Sequence, residues 1–301
     1  MPVEEVTLTT RFKVDLTDID EAVISEIQRL FAEYQEIVNE LIKFATSKHI
    51  TSFVELHHAK YRELRQRYPI LPWRYIITAC RHATRIYKSF MKLKELEMCG
   101  KDRPVFKGWT VWLDHRLFKL DVESWRASIM LHGRRWVTLR LFHGKYHDKF
   151  RGMKLGEAQL VLKKDSNLYM DVSFSQMVTL PEINTNAKII AVDVNENVIV
   201  YGNDDFVDRI KTNEGIIRTR YFLKRRKIQV KVRGKEPRAR LLGKYDEREW
   251  WRVREIYYKA AKEIIGRALE VGATVIVMED LELYKKDMGS EELNGRIHLV
   301  I

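Results

Sequence analysis

The stretch KIIAVDVNENVIV, Lys188–Val200, sets one carboxylate, Asp193, inside a run that otherwise reads as a central β-strand covered on both faces. An unpaired charge in such a place is costly or shifts its pKa, so the acid calls for a partner. A second stretch, TVIVMEDLELY (Thr274–Tyr284), repeats the pattern: β-branched residues suited to a parallel central strand end at Glu279 and Asp280. The intervening chain predicts a second strand over 197–202, a long basic segment and a helix to about Leu269, with Gly272 suited to the left-handed position that ends it. In a β-β-β-α-β order the two acid-bearing strands are neighbours, and Asp193 and Glu279 share a divalent cation. Hard oxygen ligands at strand ends are what Mg2+ and phosphodiester chemistry require. The alternative is structural: Asp193 opens a turn against the backbone of NEN, and Glu279 is a rim acid. Asp280 is assigned to helix capping.

Composition points the same way. Lys and Arg number 54 against 42 Asp and Glu, a net charge of +12, and the basic residues cluster. Segment 218–240, RTRYFLKRRKIQVKVRGKEPRAR, holds eleven of them and one acid. Such density repels itself unless it faces solvent or a polyanion, and nucleic acid is the partner favoured. Arg218, Arg220, Lys224, Arg225, Arg226, Lys231 and Arg233 are the expected phosphate contacts there. The stripe Trp250, Val253, Tyr257, Ala260, Ile264 and Ala268 beyond it predicts a helix packed on the sheet, its aromatics needing no ligand, with Arg248, Arg252, Lys259 and Lys262 on the opposite face.

The first part of the chain predicts a strand over 6–14 and then a helical unit, residues 15–99, with Thr17 and Asp18 as N-cap candidates and Ser52 with Glu55 as a capping box. Its third helix carries Arg74, Arg81, Arg85 and Lys88 beside aromatic residues, a second candidate nucleic-acid face. From Arg103 the pattern turns to short alternating runs, an antiparallel β-unit or small barrel. Residues 179–186 read as a linker. Cys80 and Cys99 support neither a disulfide framework nor a self-contained zinc site, and His57, His58, His143 and His147 read as surface or turn histidines. No signal peptide or apolar run of about 18 residues is present, which predicts a cytoplasmic protein without a membrane partner. Few Asn and Gln beside many charges lean toward a heat-adapted source.

These residues carry a resemblance. IIAVDVNENVIV and TVIVMEDLE resemble the first and second RuvC motifs of TnpB, the transposon-encoded OrfB family of RNA-guided DNA nucleases that is similar to type V CRISPR effectors. RPVFKGWTVWLDHRLFKLD and LVLKKDSNLYMDVSFS resemble its β-barrel wedge domain, and residues 15–99 its recognition lobe. The resemblance implies an RNase H-like (RuvC) domain over 181–301, and a wedge domain over 1–14 and 100–180 with the helices inserted. It implies Asp193 and Glu279 as catalytic acids and Mg2+ ligands of a two-metal site. It further implies a guide RNA from the transposon end, a double-stranded DNA target, and a nucleoid-associated prokaryotic setting. Asn195 stands where the family has Gly. The chain stops at ELNGRIHLVI, before the family's third acid and the Cys pairs of its zinc ribbon, so the expected metal cage is incomplete and zinc is expected only with that ribbon. A catalytically inactive RNA-guided DNA-binding protein and a remnant RNA-binding protein are the alternative readings.

Overall fold

The computed structural model describes residues 3–96, 99–163, 166–180 and 187–279, and the chain divides into two compact units, Val3–Leu180 and, among the described residues, 187–279. In the first, strand β1 (Val3–Asp15) alternates inward and outward side chains, burying Phe12 and Val14. Helices α1 (Glu21–Lys48), α2 (Phe53–Arg67) and α3 (Trp73–Glu95) follow. The cap of α1 is neither Thr17 nor Asp18. Thr17 bonds back to the Asp15 carboxylate, and Asp20 accepts from the Ala22 amide at 2.9 Å. Ser52 caps α2 as expected, accepting from the Glu55 amide.

The remaining strands are β2 (Thr110–Leu113), β3 (Phe118–Asp121), β4 (Arg126–Met130), β5 (Trp136–Phe142), β6 (Lys154–Leu162) and β7 (Leu168–Thr179). With β1 they form an antiparallel sheet in the order β2-β6-β7-β1-β5-β4-β3. Among the described residues the ladder does not close into the expected barrel; β2 and β3 are its edges. Helices and sheet share one core, in which Phe12 and Phe174 from the strands, with Trp125 and Phe150 from their connections, meet Phe31, Tyr34 and Leu41 of α1 and Tyr75 of α3. Polar ties hold the layers in register: the Tyr75 hydroxyl donates to the Met130 carbonyl at 2.6 Å, and the Asn39 side chain bonds both the amide and the carbonyl of Phe106.

The second unit contains β8 (Ile189–Val194), β9 (Val198–Gly202), β10 (Val207–Lys211), helices α4 (Glu214–Lys231) and α5 (Lys235–Val271), and β11 (Val275–Met278). Its sheet order is β10-β9-β8-β11, with β8 and β11 parallel and the other pairs antiparallel. The basic segment, expected to face solvent or a polyanion, is helical over most of its length. Gly272, at φ 69°, ends α5 as expected. Two expectations need correction. Among the described residues strand β8 is central but covered on one face only: Ile190 and Val192 are buried against Ala260, Ile264 and Ala268 of α5, whereas Ile189, Ala191 and Asp193 are exposed. Strand β11 is an edge of the described sheet, not a central strand. Apolar composition alone does not tell a strand covered twice from one covered once.

Gly202 closes the β9–β10 hairpin where a Cβ would lie 2.2 Å from the Phe206 carbonyl oxygen. Gly202→Ala is therefore expected to push this hairpin apart and lower stability by about 1–3 kcal/mol, read from urea unfolding; an unchanged midpoint would show that the hairpin yields freely.

Candidate carboxylate site and nucleic-acid interface

Alternation puts Asp193 on the open face of β8, and the parallel register, Met278 opposite Val192, carries the next residue of that strand to its side. The carboxyl groups of Asp193 and Glu279 come into hydrogen-bonding contact. That bond, and then the Asp193 charge, raises the pKa of Glu279 above the ordinary carboxylate value of 4.5. Asn195 donates from Nδ2 to Asp193 Oδ2 at 2.8 Å, so the residue two positions on orients this acid. The turn is anchored further: the Asn195 amide bonds the Val198 carbonyl, Thr212 Oγ1 donates to the Glu196 carbonyl at 2.9 Å, and Asn197 Oδ1 accepts from the Gly215 amide at 3.1 Å. The acid pair therefore stands on a strand end tied to the start of α4. Asp280 lies outside the described residues.

The two acids open into a shallow groove also lined by Ala191, Tyr201, Asn203 and Asp204. Asp204 was not singled out in the sequence; it sits in a turn in which Asn203 Oδ1 accepts from the Asp205 and Phe206 amides. Among the described residues no three acidic, His or Cys side chains converge to hold an ion. The pair itself fits a hard divalent cation: both donors are carboxylates, both are open to solvent, and the Asp193 charge opposes ionisation of Glu279 until a cation neutralises the site.

A carboxyl with a raised pKa in the folded chain adds stability that is complete below its unfolded value and lost as pH rises through the folded value. Asp193→Ala is expected to bring the Glu279 pKa down toward 4.5, measured by carboxyl-carbon NMR titration. A titration curve that does not move would separate the two groups.

The basic residues divide into two sets. Arg220, Lys224, Arg226, Lys231 and Arg233 are exposed along α4 and its C-terminal end, and Arg85 and Lys88 are exposed on α3. Arg85 lies over the Trp112 ring at 4.7 Å, and Arg81 pairs with Glu157 at 3.1 Å. Arg74, Arg218 and Arg225, expected at phosphates, are committed within the fold. Arg74 donates to the buried Asp114. Arg218 is 6 % exposed and bonds Glu214 at 2.5 Å, with Glu249 at 3.9 Å; Arg225 pairs with Glu249 and with Asp246. The buried carboxylates Glu214 and Glu249 each need a cation, and these guanidinium groups supply it. The Tyr257 hydroxyl also donates to Glu214.

The stripe on α5 needs a correction too. Val253, Ala260, Ile264 and Ala268 are buried as expected, but Trp250 is 47 % exposed, and Trp251 and Tyr258 stand open beside it.

Comparison with known proteins follows this architecture. A family model described as the Uncharacterized protein MJ0013 family matches residues 30–128. The Cas12f1 protein in a cryo-EM structure of a Cas12f1–sgRNA–target DNA complex is similar over 93% of this chain and 70% of that one, with a TM-score of 0.56 at 14% identity, so the two share a fold. Two proteins of the thermophilic archaeon Methanocaldococcus jannaschii are similar in sequence. Uncharacterized protein MJ0857 is 27% identical over 66% of this chain and 78% of its own length, and TnpB-like protein MJ0751 is 28% identical over 61% and 67%. In sequence the chain thus resembles a TnpB-like protein, and in fold a Cas12f1 protein. No helix among the described residues is long and apolar enough to cross a membrane.

Proposed function

We propose that the chain is an RNA-guided DNA endonuclease of the TnpB type, with a transposon-derived guide RNA and double-stranded DNA as partners. The observation that carries this reading is the meeting of Asp193 and Glu279 on one open sheet face of a chain that is otherwise strongly basic. Asp193 and Glu279 would hold Mg2+, the remaining positions falling to water and phosphate oxygens. Bound there, the ion supplies charge neutralisation at the scissile phosphate and a more acidic water. Asn195 keeps one Asp193 oxygen oriented. The exposed cations of α4 hold nucleic acid by its phosphates, and base pairing with the guide supplies sequence choice.

A second reading, guided binding without cutting, is favoured by one observation: among the described residues two carboxylates, not three, converge. One experiment separates them. Guide-loaded protein is incubated with matched DNA and Mg2+, and cleavage and retention are both scored. Cutting that depends on Asp193 supports the nuclease, retention without cutting supports the binder, and RNA binding with no target capture removes both.

A further inference from the structure

One surface of the second unit is used by neither the carboxylate pair nor the buried ion network. Along α5, Trp251, Arg254, Tyr258 and Lys262 recur at helical spacing, and Arg248 and Arg252 flank them, so the stripe runs about 21 Å along the axis. With Tyr221 of α4 these side chains line an open groove. Trp251 is 56 % and Tyr258 61 % exposed, although large rings of this kind are normally drawn into a core. Sequence reading took aromatics of this helix as core, but the core-facing positions are filled by smaller residues, Val253, Ala260 and Ile264, which leaves the rings turned out.

The rings are pre-set. The Arg254 guanidinium lies 5.7 Å from the Trp251 ring and 5.1 Å from the Tyr258 ring, and donates to the Tyr258 hydroxyl at 2.7 Å. Arg254 also packs at 4.5 Å on Trp250, which meets Trp251 edge to face. One cation thus braces three aromatic planes. Glu255, the acid of the groove, is neutralised by Lys259 at 2.6 Å, which leaves a cationic surface studded with flat rings.

We infer that this α5 groove binds an unpaired DNA strand, its bases stacking on Trp251 and Tyr258 and its phosphates meeting Arg248, Arg252 and Lys262. Aromatic faces interleaved with cations suit exposed bases; in a duplex the bases are already stacked on one another and offer only phosphates. The choice of DNA rests on the acceptors: Lys259 holds Glu255 Oε1 and Arg254 holds the Tyr258 hydroxyl oxygen, which draws the groove's acceptors away from a ribose 2′-hydroxyl. The inference rests on the nucleic-acid reading of the chain but not on its acid pair.

The test measures binding of the full chain to single-stranded oligothymidylate, to a duplex of the same length and to oligouridylate. Trp251→Ala and Tyr258→Ala are each expected to weaken single-strand binding by about 5- to 150-fold while leaving duplex binding unchanged, with Trp251→Phe restoring most of the affinity. Quenching of tryptophan emission by the single strand is expected in the wild type. Both rings are exposed, so circular dichroism should show the fold intact. Undiminished single-strand binding by both alanine variants, an equal loss toward the duplex, or tighter binding of oligouridylate than oligothymidylate would overturn the inference. The binding assay uses no guide, no matched target and no Mg2+, so a failure of the groove and a failure of the nuclease reading are seen separately.

Discussion

Asp193→Ala is expected to abolish Mg2+-dependent cleavage of guide-matched DNA, by roughly 10²–10³-fold or more, and to leave the fold at least as stable as before near neutral pH. The two halves of this expectation come from one geometry. Asp193 lies on the open face of β8 in contact with Glu279, so its side chain supports no core, and removing it takes away both the hydrogen bond and the repulsive charge that raise the Glu279 pKa. The same removal halves the donor set available to a cation. Loss of cutting together with an unchanged or higher unfolding temperature is thus the signature of a functional acid. Loss of both cutting and stability would make Asp193 structural, and undiminished cutting would end the nuclease reading. Glu279→Gln should behave alike, since it keeps the shape and loses the charge.

Arg218→Ala is expected to destabilise the unit of residues 187–279 by about 3–5 kcal/mol. The change leaves Glu214 and Glu249, at 3 % and 2 % exposure, without the guanidinium between them. For a unit of this size that corresponds to a fall in unfolding temperature of roughly 12 °C or more. Arg225, paired with Glu249 from the same helix, compensates only the second acid. Replacing Glu214 and Glu249 together with Arg218 by apolar residues of similar volume should restore most of the loss, because the penalty comes from stranded charge rather than from a missing contact. A phosphate-binding role predicts the opposite pattern: an unchanged unfolding temperature with weaker, less salt-dependent binding of nucleic acid. That result would return Arg218 to the interface.

How far this architecture was legible depends on the scale of each signal. Alternation in VTLTTRFKV and the capping pair Ser52 and Glu55 are local, and β1 and the start of α2 follow them closely. Third strand β10, Val207–Lys211, was implied by the strand order but not located, because VDRIK is polar and is exposed along most of its length. The basic run was read for its charge, and its helix was missed because charge repulsion and helix propensity pull opposite ways in such a segment. Of the cations proposed at phosphates, the sequence could not separate Arg220 and Lys224, which face solvent, from Arg218 and Arg225, which face Glu249.

Sequence by itself determined the identity of the two acids, the strands that carry them and the strong positive charge around them, because each is written in local pattern or composition. Only the tertiary structure decided that β8 is covered on a single face, so that Asp193 is open rather than buried. It also brought Glu279 against Asp193 through a parallel pairing of strands some eighty residues apart, and turned Trp251 and Tyr258 outward while their neighbours went in. The physical reason is common to all three: which side of a strand or helix meets water is set by what packs against it, and that partner lies elsewhere in the chain.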